Sequence, residues 1–383
     1  MFELLFSYEV LRLLWWVLLG VLLIGFAIAD GFDMGAAALL PLVAKTDDEK
    51  RVVINTVGPV WEGNQVWFIL GGGAIFAAWP ALYAVSFSGF YLAMFLVLAM
   101  LIVRPVAFKY RSKRESTVWR RNWDLAITVS GLVPPVIFGV AMGNALIGVP
   151  FTFDNDLRPD YQGGLFGLLN APALLCGFVS LAMIIAQGAA WLQLKADHVI
   201  AERARVIGGH TAIAGAILFA IGGLLVAGGL LGGYALQTVP DYSGPSFPLS
   251  KEVLPSTNAW LSNYGRAPIL LLAPALGIGG MLIAALGFRL KRTVMTFMAT
   301  STSILGIIGT VGVSMFPFIL PSSLDPNHSL MVFDASSSQA TLRNMLVATM
   351  IFLPLILLYT AWVYKILFGR ITLDDLHAAE HTY

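Results

Sequence analysis

The residue whose type and setting point most directly to chemistry is Glu62, in the run Gly58-Pro-Val-Trp-Glu-Gly-Asn-Gln-Val-Trp67. The surrounding stretch otherwise reads as membrane. A carboxylate in the bilayer core costs about 2.5–3.5 kcal/mol on insertion scales, so it persists where a partner, a water-filled path or a chemical task compensates. Polar and aromatic neighbours (Trp61, Asn64, Gln65, Trp67) make a proton or ion pathway the leading reading. The plainer alternative is a structural carboxylate bonded to Asn64, Gln65 or a neighbouring helix. Two more acids, Asp30 and Asp33, stand three residues apart and hence on one helix face. They read either as an ion or proton site shared with Glu62, or as groups that meet interfacial water where Gly31 breaks the helix. Arg104, in Val103-Arg-Pro105, either snorkels to the headgroups or is a salt partner for Asp33 or Glu62.

These groups must be held by membrane helices. Of 383 residues, 58% are hydrophobic and 12% charged, and the mean hydropathy is +0.80. A water-facing surface alone needs more charge than that, so the fold class is an all-α polytopic membrane protein. Helices rather than barrel strands are expected, because the apolar runs are long and do not alternate. About 20 apolar residues span the hydrocarbon core. On that basis nine transmembrane helices are expected, near 9–35, 53–79, 81–107, 123–149, 165–191, 207–234, 267–288, 294–318 and 342–367. The first resembles a signal peptide around Leu11 to Ala29, but the apolar run is long and no basic segment precedes it, so it reads as a retained helix. Echoes between Gly139-Val-Ala-Met-Gly-Asn144 and Gly312-Val-Ser-Met-Phe-Pro-Phe318 suggest two four-helix bundles plus one helix. The chain then forms a single integral membrane domain over 1–383, with a pseudo-repeat of 1–150 and 165–320 and a ninth helix at 342–367.

Lys and Arg concentrate in Lys109-Tyr-Arg-Ser-Lys-Arg114, in 192–206, in 289–292 and in the tail, and are scarce in the alternate loops. That bias places the N-terminus outside and the C-terminus in the cytoplasm. On this topology Glu62 lies nine residues into the second helix, about 14 Å deep at 1.5 Å per residue. All four charged groups then fall in the cytoplasmic half, as a route drawing protons from that side requires.

Other features are less specific. A net charge of +1 gives no footprint for nucleic acid. The single cysteine, Cys176, excludes an intrachain disulfide and a cysteine-based metal cluster. The histidines (His198, His210, His328, His377, His381) avoid the middles of helices, so this chain alone is not expected to hold a haem. Trp15, Trp16, Trp79, Trp119 and Trp123 read as an interfacial aromatic belt, Gly71-Gly-Gly73 as a close helix contact, and Gln187 and Gln193 as interhelical hydrogen-bonders.

Taken together, the motifs resemble a known family. Leu13-Leu-Trp-Trp-Val, Asp30-Gly-Phe-Asp-Met-Gly35, Trp61-Glu-Gly-Asn-Gln-Val-Trp67, Phe76-Ala-Ala-Trp-Pro80, Ser86-Phe-Ser-Gly-Phe-Tyr91, Arg104-Pro and Met315-Phe-Pro-Phe-Ile-Leu-Pro-Ser-Ser323 are similar to subunit II of the cytochrome bd-type quinol oxidases. Phe333-Asp-Ala-Ser-Ser-Ser-Gln339 and Phe368-Gly-Arg-Ile-Thr372 extend the resemblance over essentially the whole chain. It implies a haem-free subunit in the bacterial inner membrane, paired with a subunit I that carries two haems b and one haem d. The complex would oxidise quinol and reduce O2 to water. The resemblance also implies a proton pathway through Glu62, with Asp30, Asp33 and Arg104 around it and Lys113 near its cytoplasmic mouth. At Lys109 some relatives carry an acid instead. Trp67 falls on the candidate oxygen route. A structural quinone, bound lipid and a small accessory subunit complete the implied partners. A proton- or cation-coupled transporter using the same carboxylates is the alternative from another class.

Overall fold

The computed structural model describes residues 6–239 and 241–372; His377 and His381 lie outside them. Twelve α-helices follow one another in the described chain: α1 (Tyr8–Val43), α2 (Asp47–Val57), α3 (Trp61–Ala78), α4 (Pro80–Gly89), α5 (Tyr91–Tyr110), α6 (Thr117–Ile147), α7 (Ala171–Lys195), α8 (His198–Ala227), α9 (Ser262–Arg266), α10 (Leu272–Arg289), α11 (Thr293–Met315) and α12 (Gln339–Ile366). Among the described residues, eight helices are long and apolar enough to cross a membrane. The expected second span, 53–79, has no counterpart among them: its longer helix, α3, has 18 residues, and Glu62, Asn64 and Gln65 near its start make it too polar. Helix packing groups α1, α3, α5 and α6 on one side and α7, α8, α10 and α11 on the other, with α1 crossing α7 between them and α12 lying against α1 and α3.

Several boundaries differ from the sequence expectation. The stretch 53–79 is two helices, not one: Gly58-Pro59-Val60 separates amphipathic α2 from α3. Pro59 lacks an N–H for a continuing helix, and α2 starts independently, with a capping box between Thr46 and Glu49. The stretch 81–107 is likewise divided at Phe90, between α4 and α5. Helix α7 begins only at Ala171, where the Asn170 side chain accepts from the Ala173 N–H, and 165–168 is a 3-10 turn.

With little hydrophobic drive between helices in lipid, close packing depends on small residues. Gly35 of α1 and Gly188 of α7 meet where a Cβ on Gly35 would lie 2.8 Å from the Gly188 Cα. Gly71, Gly72 and Gly73 do not make the close helix contact that was expected: a Cβ at any of them meets nothing within 4 Å, and although Gly71 is buried, Gly73 is exposed. Trp15 and Trp79 are buried inside the bundle and do not face outward, and their Nε1 groups donate to the carbonyls of Leu342 and Val332.

The end of the bundle opposite the basic loops is closed by three short antiparallel pairs. These are β1 (Phe151–Phe153) with β2 (Pro159–Tyr161), β3 (Gly233–Leu236) with β4 (Val253–Ser256), and β5 (Phe318–Leu320) with β6 (Leu330–Met331). Buried Arg12 holds this cap down, donating to Ser336, Tyr242, Gly244 and Ser246. Lys251 and Asp334 form a buried ion pair at 2.5 Å. Burial raises Asp334 to about 6, an effect that Lys251 moderates, and burial lowers Lys251.

Removing one member of this pair should cost more than removing both. Lys251→Met is expected to destabilise the cap by about 3–5 kcal/mol, and the Lys251→Met/Asp334→Leu double variant by less. The folded Asp334 binds its proton more tightly than an unfolded one, so its contribution is present at low pH and lost as pH rises through about 6. The Lys251→Met defect should therefore be smaller at acidic than at neutral pH when thermal inactivation is followed at both.

Candidate functional site

Two charged layers lie near the basic end of the bundle. The inner layer is fully buried. Arg104 on α5 donates through Nη2 to both oxygens of Asp30 on α1, at 2.8 and 3.0 Å, and neither side chain has any exposed surface. Arg104 therefore pairs with Asp30, not with Asp33 or Glu62, and does not snorkel. One turn along α1, Asp33 accepts from Asn64 Nδ2 of α3 at 2.9 Å. Asn64 in turn accepts at Oδ1 from the Tyr364 hydroxyl of α12 at 2.6 Å. Four helices thus meet at one polar cluster. The opposite wall is aromatic: Phe32 stacks on Trp191 with centroids 3.9 Å apart, and Tyr364 meets Trp191 edge-on.

The cluster is not saturated. Among the described residues, Asp33 Oδ1, Arg104 Nε and Nη1, Trp61 Nε1 and Gln187 Oε1 are buried without a hydrogen-bond partner. Unsatisfied groups at this density suit internal water. Gln187 does bridge helices as expected, donating to the Ile28 carbonyl and to Ser301.

The outer layer overturns the expected burial of Glu62. Its side chain is 70% exposed and stands 3.8 Å from Lys109 Nζ, itself 56% exposed. Helix geometry gives the reason. Trp61 and Asn64 are three residues apart and both face inward, whereas Glu62 is rotated away from each of them. Glu62 therefore lies on the outward surface of α3, opposite the basic end of α5. Lys113 is also exposed, in the turn after α5. Trp67 is half-buried, its ring against Gly25 of α1.

Sequence reasoning did not single out Tyr364; a tyrosine in an apolar helix was the available signal. It also missed Asp47 and Asp124, which hold buried Arg111 at the basic end at 2.7 and 2.5 Å. Among the described residues, no group of three or more His, Cys, Asp or Glu side chains could hold a metal ion. Among the described residues, the three histidines lie outside the buried core of the bundle. His198 and His210 are exposed, and His328 Nδ1 accepts from the Phe153 N–H at 2.8 Å in the strand-bearing cap.

Fold and site together define a polytopic helical membrane protein with a buried charge cluster below a charged outward face. The family model for cytochrome bd terminal oxidase subunit II matches residues 11–367. The chain belongs to that family. It is 48% identical over 376 residues to cytochrome bd-I ubiquinol oxidase subunit 2 of Escherichia coli K12, covering 98% of this chain and 99% of the relative. Identity is 45% over the same coverage to a probable cytochrome oxidase subunit 2 of Haemophilus influenzae. It is 28% to cytochrome bd ubiquinol oxidase subunit 2 of Bacillus subtilis, over 94% of this chain and 96% of that one. The structure of bd oxidase from Geobacillus thermodenitrificans contains a chain of the same fold, with a TM-score of 0.69 at 16% identity, covering 93% of this chain and 98% of that one.

Arg104→Met should leave Asp30 buried and unpaired, at a cost of about 3–5 kcal/mol. The expected outcome is poor accumulation of the subunit in membranes. Arg104→Met/Asp30→Asn should accumulate better, as measured by immunoblot against an unrelated membrane protein.

Proposed function

We propose that this chain is the haem-free subunit II of an inner-membrane quinol oxidase that reduces O2 to water, and that its own task is to deliver protons from the cytoplasm. Family membership supports the oxidase assignment. The haems, two b and one d, belong on this reading to subunit I.

The observation that carries the proton route is the pairing of layers. The Glu62–Lys109 pair is exposed on this chain alone, yet it sits at the start of a helix otherwise made for the membrane. Such a pair facing lipid would be costly. It is better accommodated against subunit I or in water between the subunits. Protons collected near Lys113 and Lys109 would pass Glu62 and reach the buried Asp30, Asp33 and Arg104 through internal water. The basic loops orient the chain with the N-terminus outside and the C-terminus in the cytoplasm, which puts Lys109 and Lys113 at the cytoplasmic entrance. Trp67, set against Gly25, lies on an apolar wall suited to oxygen. A structural quinone, lipid and a small accessory subunit are further proposed partners.

The test is oxygen consumption with quinol by the purified complex. Glu62→Gln should lower turnover roughly tenfold or more, equivalent to at least about 1.4 kcal/mol on the limiting barrier, with unchanged haem spectra. Normal turnover with intact haems would remove Glu62 from the route and leave the subunit as a scaffold.

A further inference from the structure

We propose that Asn64 and Tyr364 are positioning residues that determine which oxygen of Asp33 carries the proton; this deepens the proton-route reading and rests on it. An asparagine amide has an end that only donates and an end that only accepts. Tyr364 donates into Asn64 Oδ1 at 2.6 Å, which turns the Nδ2 end toward Asp33. Asn64 Nδ2 then donates to Asp33 Oδ2 at 2.9 Å. A proton on Oδ2 would make that oxygen a much weaker acceptor for the N–H than a carboxylate or carbonyl oxygen, so the bond from Asn64 favours keeping the proton off Oδ2. Oδ1 is different: it is buried and accepts no hydrogen bond from any described group. It is the oxygen left open for loading.

The charged groups that bear on Asp33 are Asp30, from the same face of α1, and Arg104 from α5. Arg104 spends Nη2 on Asp30 and leaves Nε and Nη1 without partners among the described residues, so internal water can connect it to the open side of Asp33. A proton arriving through that water forms the O–H bond at Oδ1 and neutralises the carboxylate. It departs from the same atom, restoring the charge. Oδ2 stays bonded to Asn64 throughout, so the side chain need not turn between loading and release. Without the Tyr364 hydroxyl the amide is free to turn its own oxygen toward Asp33. An O–H on Oδ2 would then be accommodated, facing away from the water, and delivery would slow.

The purified oxidase complex carrying Tyr364→Phe tests this, with quinol oxidation and redox-difference infrared spectra recorded together. Asp33→Asn first identifies the Asp33 carboxyl band by its loss. Tyr364→Phe should keep the haem spectra and the KM for quinol, lower kcat several-fold, and shift the Asp33 band. A ring-fluorinated tyrosine at position 364, a stronger donor of nearly the same size, should also shift the band, and it covers the case in which Tyr364→Phe fails to assemble. An unmoved band in the assembled variant overturns the positioning role. Full turnover in Asp33→Asn would instead overturn the proton route through Asp33, so the two failures are distinguishable.

Discussion

The ion pair between Asp30 and Arg104 is the constraint around which the bundle is organised. Two full charges with no exposed surface are tolerated only when their geometry is good and their surroundings are fixed. Arg104 meets both carboxylate oxygens at hydrogen-bond distance. The surroundings follow from glycine: α1 approaches α7 closely enough at Gly35 and Gly188 that no side chain could be added there. That approach leaves the acidic face of α1 turned toward α3, α5 and α12.

Helix α12 has few packing contacts to secure it. No residue in its most apolar window is buried within this chain. Among the described residues, its polar tie to the centre is the Tyr364 hydroxyl bonded to Asn64. A tether of this kind costs little conformational freedom and couples α12 to the state of Asp33. The strand-bearing cap at the other end is fixed in a different way, by Arg12 and by the Lys251–Asp334 pair, so the two ends of the bundle are held by separate charges.

Much of this was legible in the residues. Asp30, Asp33 and Arg104 stood out because charge in an apolar run must be paired or used, and all nine expected membrane segments have helical counterparts. What failed was orientation. The run around Glu62 marked a carboxylate beside an apolar stretch, but it did not show which side of α3 faces the neighbours. Asn64, read as a possible partner for Glu62, is turned instead toward Asp33. The break after Val57 was written in Gly58-Pro59, yet hydropathy averaged over a window runs straight across it. The pairing of Tyr364 with Asn64 could not be read from the sequence because the two are 300 positions apart, and only the packing of α12 on α3 brings them together.

The central claim is that protons bound for O2 reduction pass through the buried acids of this subunit. It is tested most directly by measuring proton uptake with a pH-indicator dye as the fully reduced complex reacts with O2, comparing wild type with Asp33→Asn. The account predicts that electrons leave the haems at the normal initial rate while proton uptake, and the electron transfer coupled to it, slows in the variant. Uptake at the wild-type rate in an intact Asp33→Asn complex would contradict it.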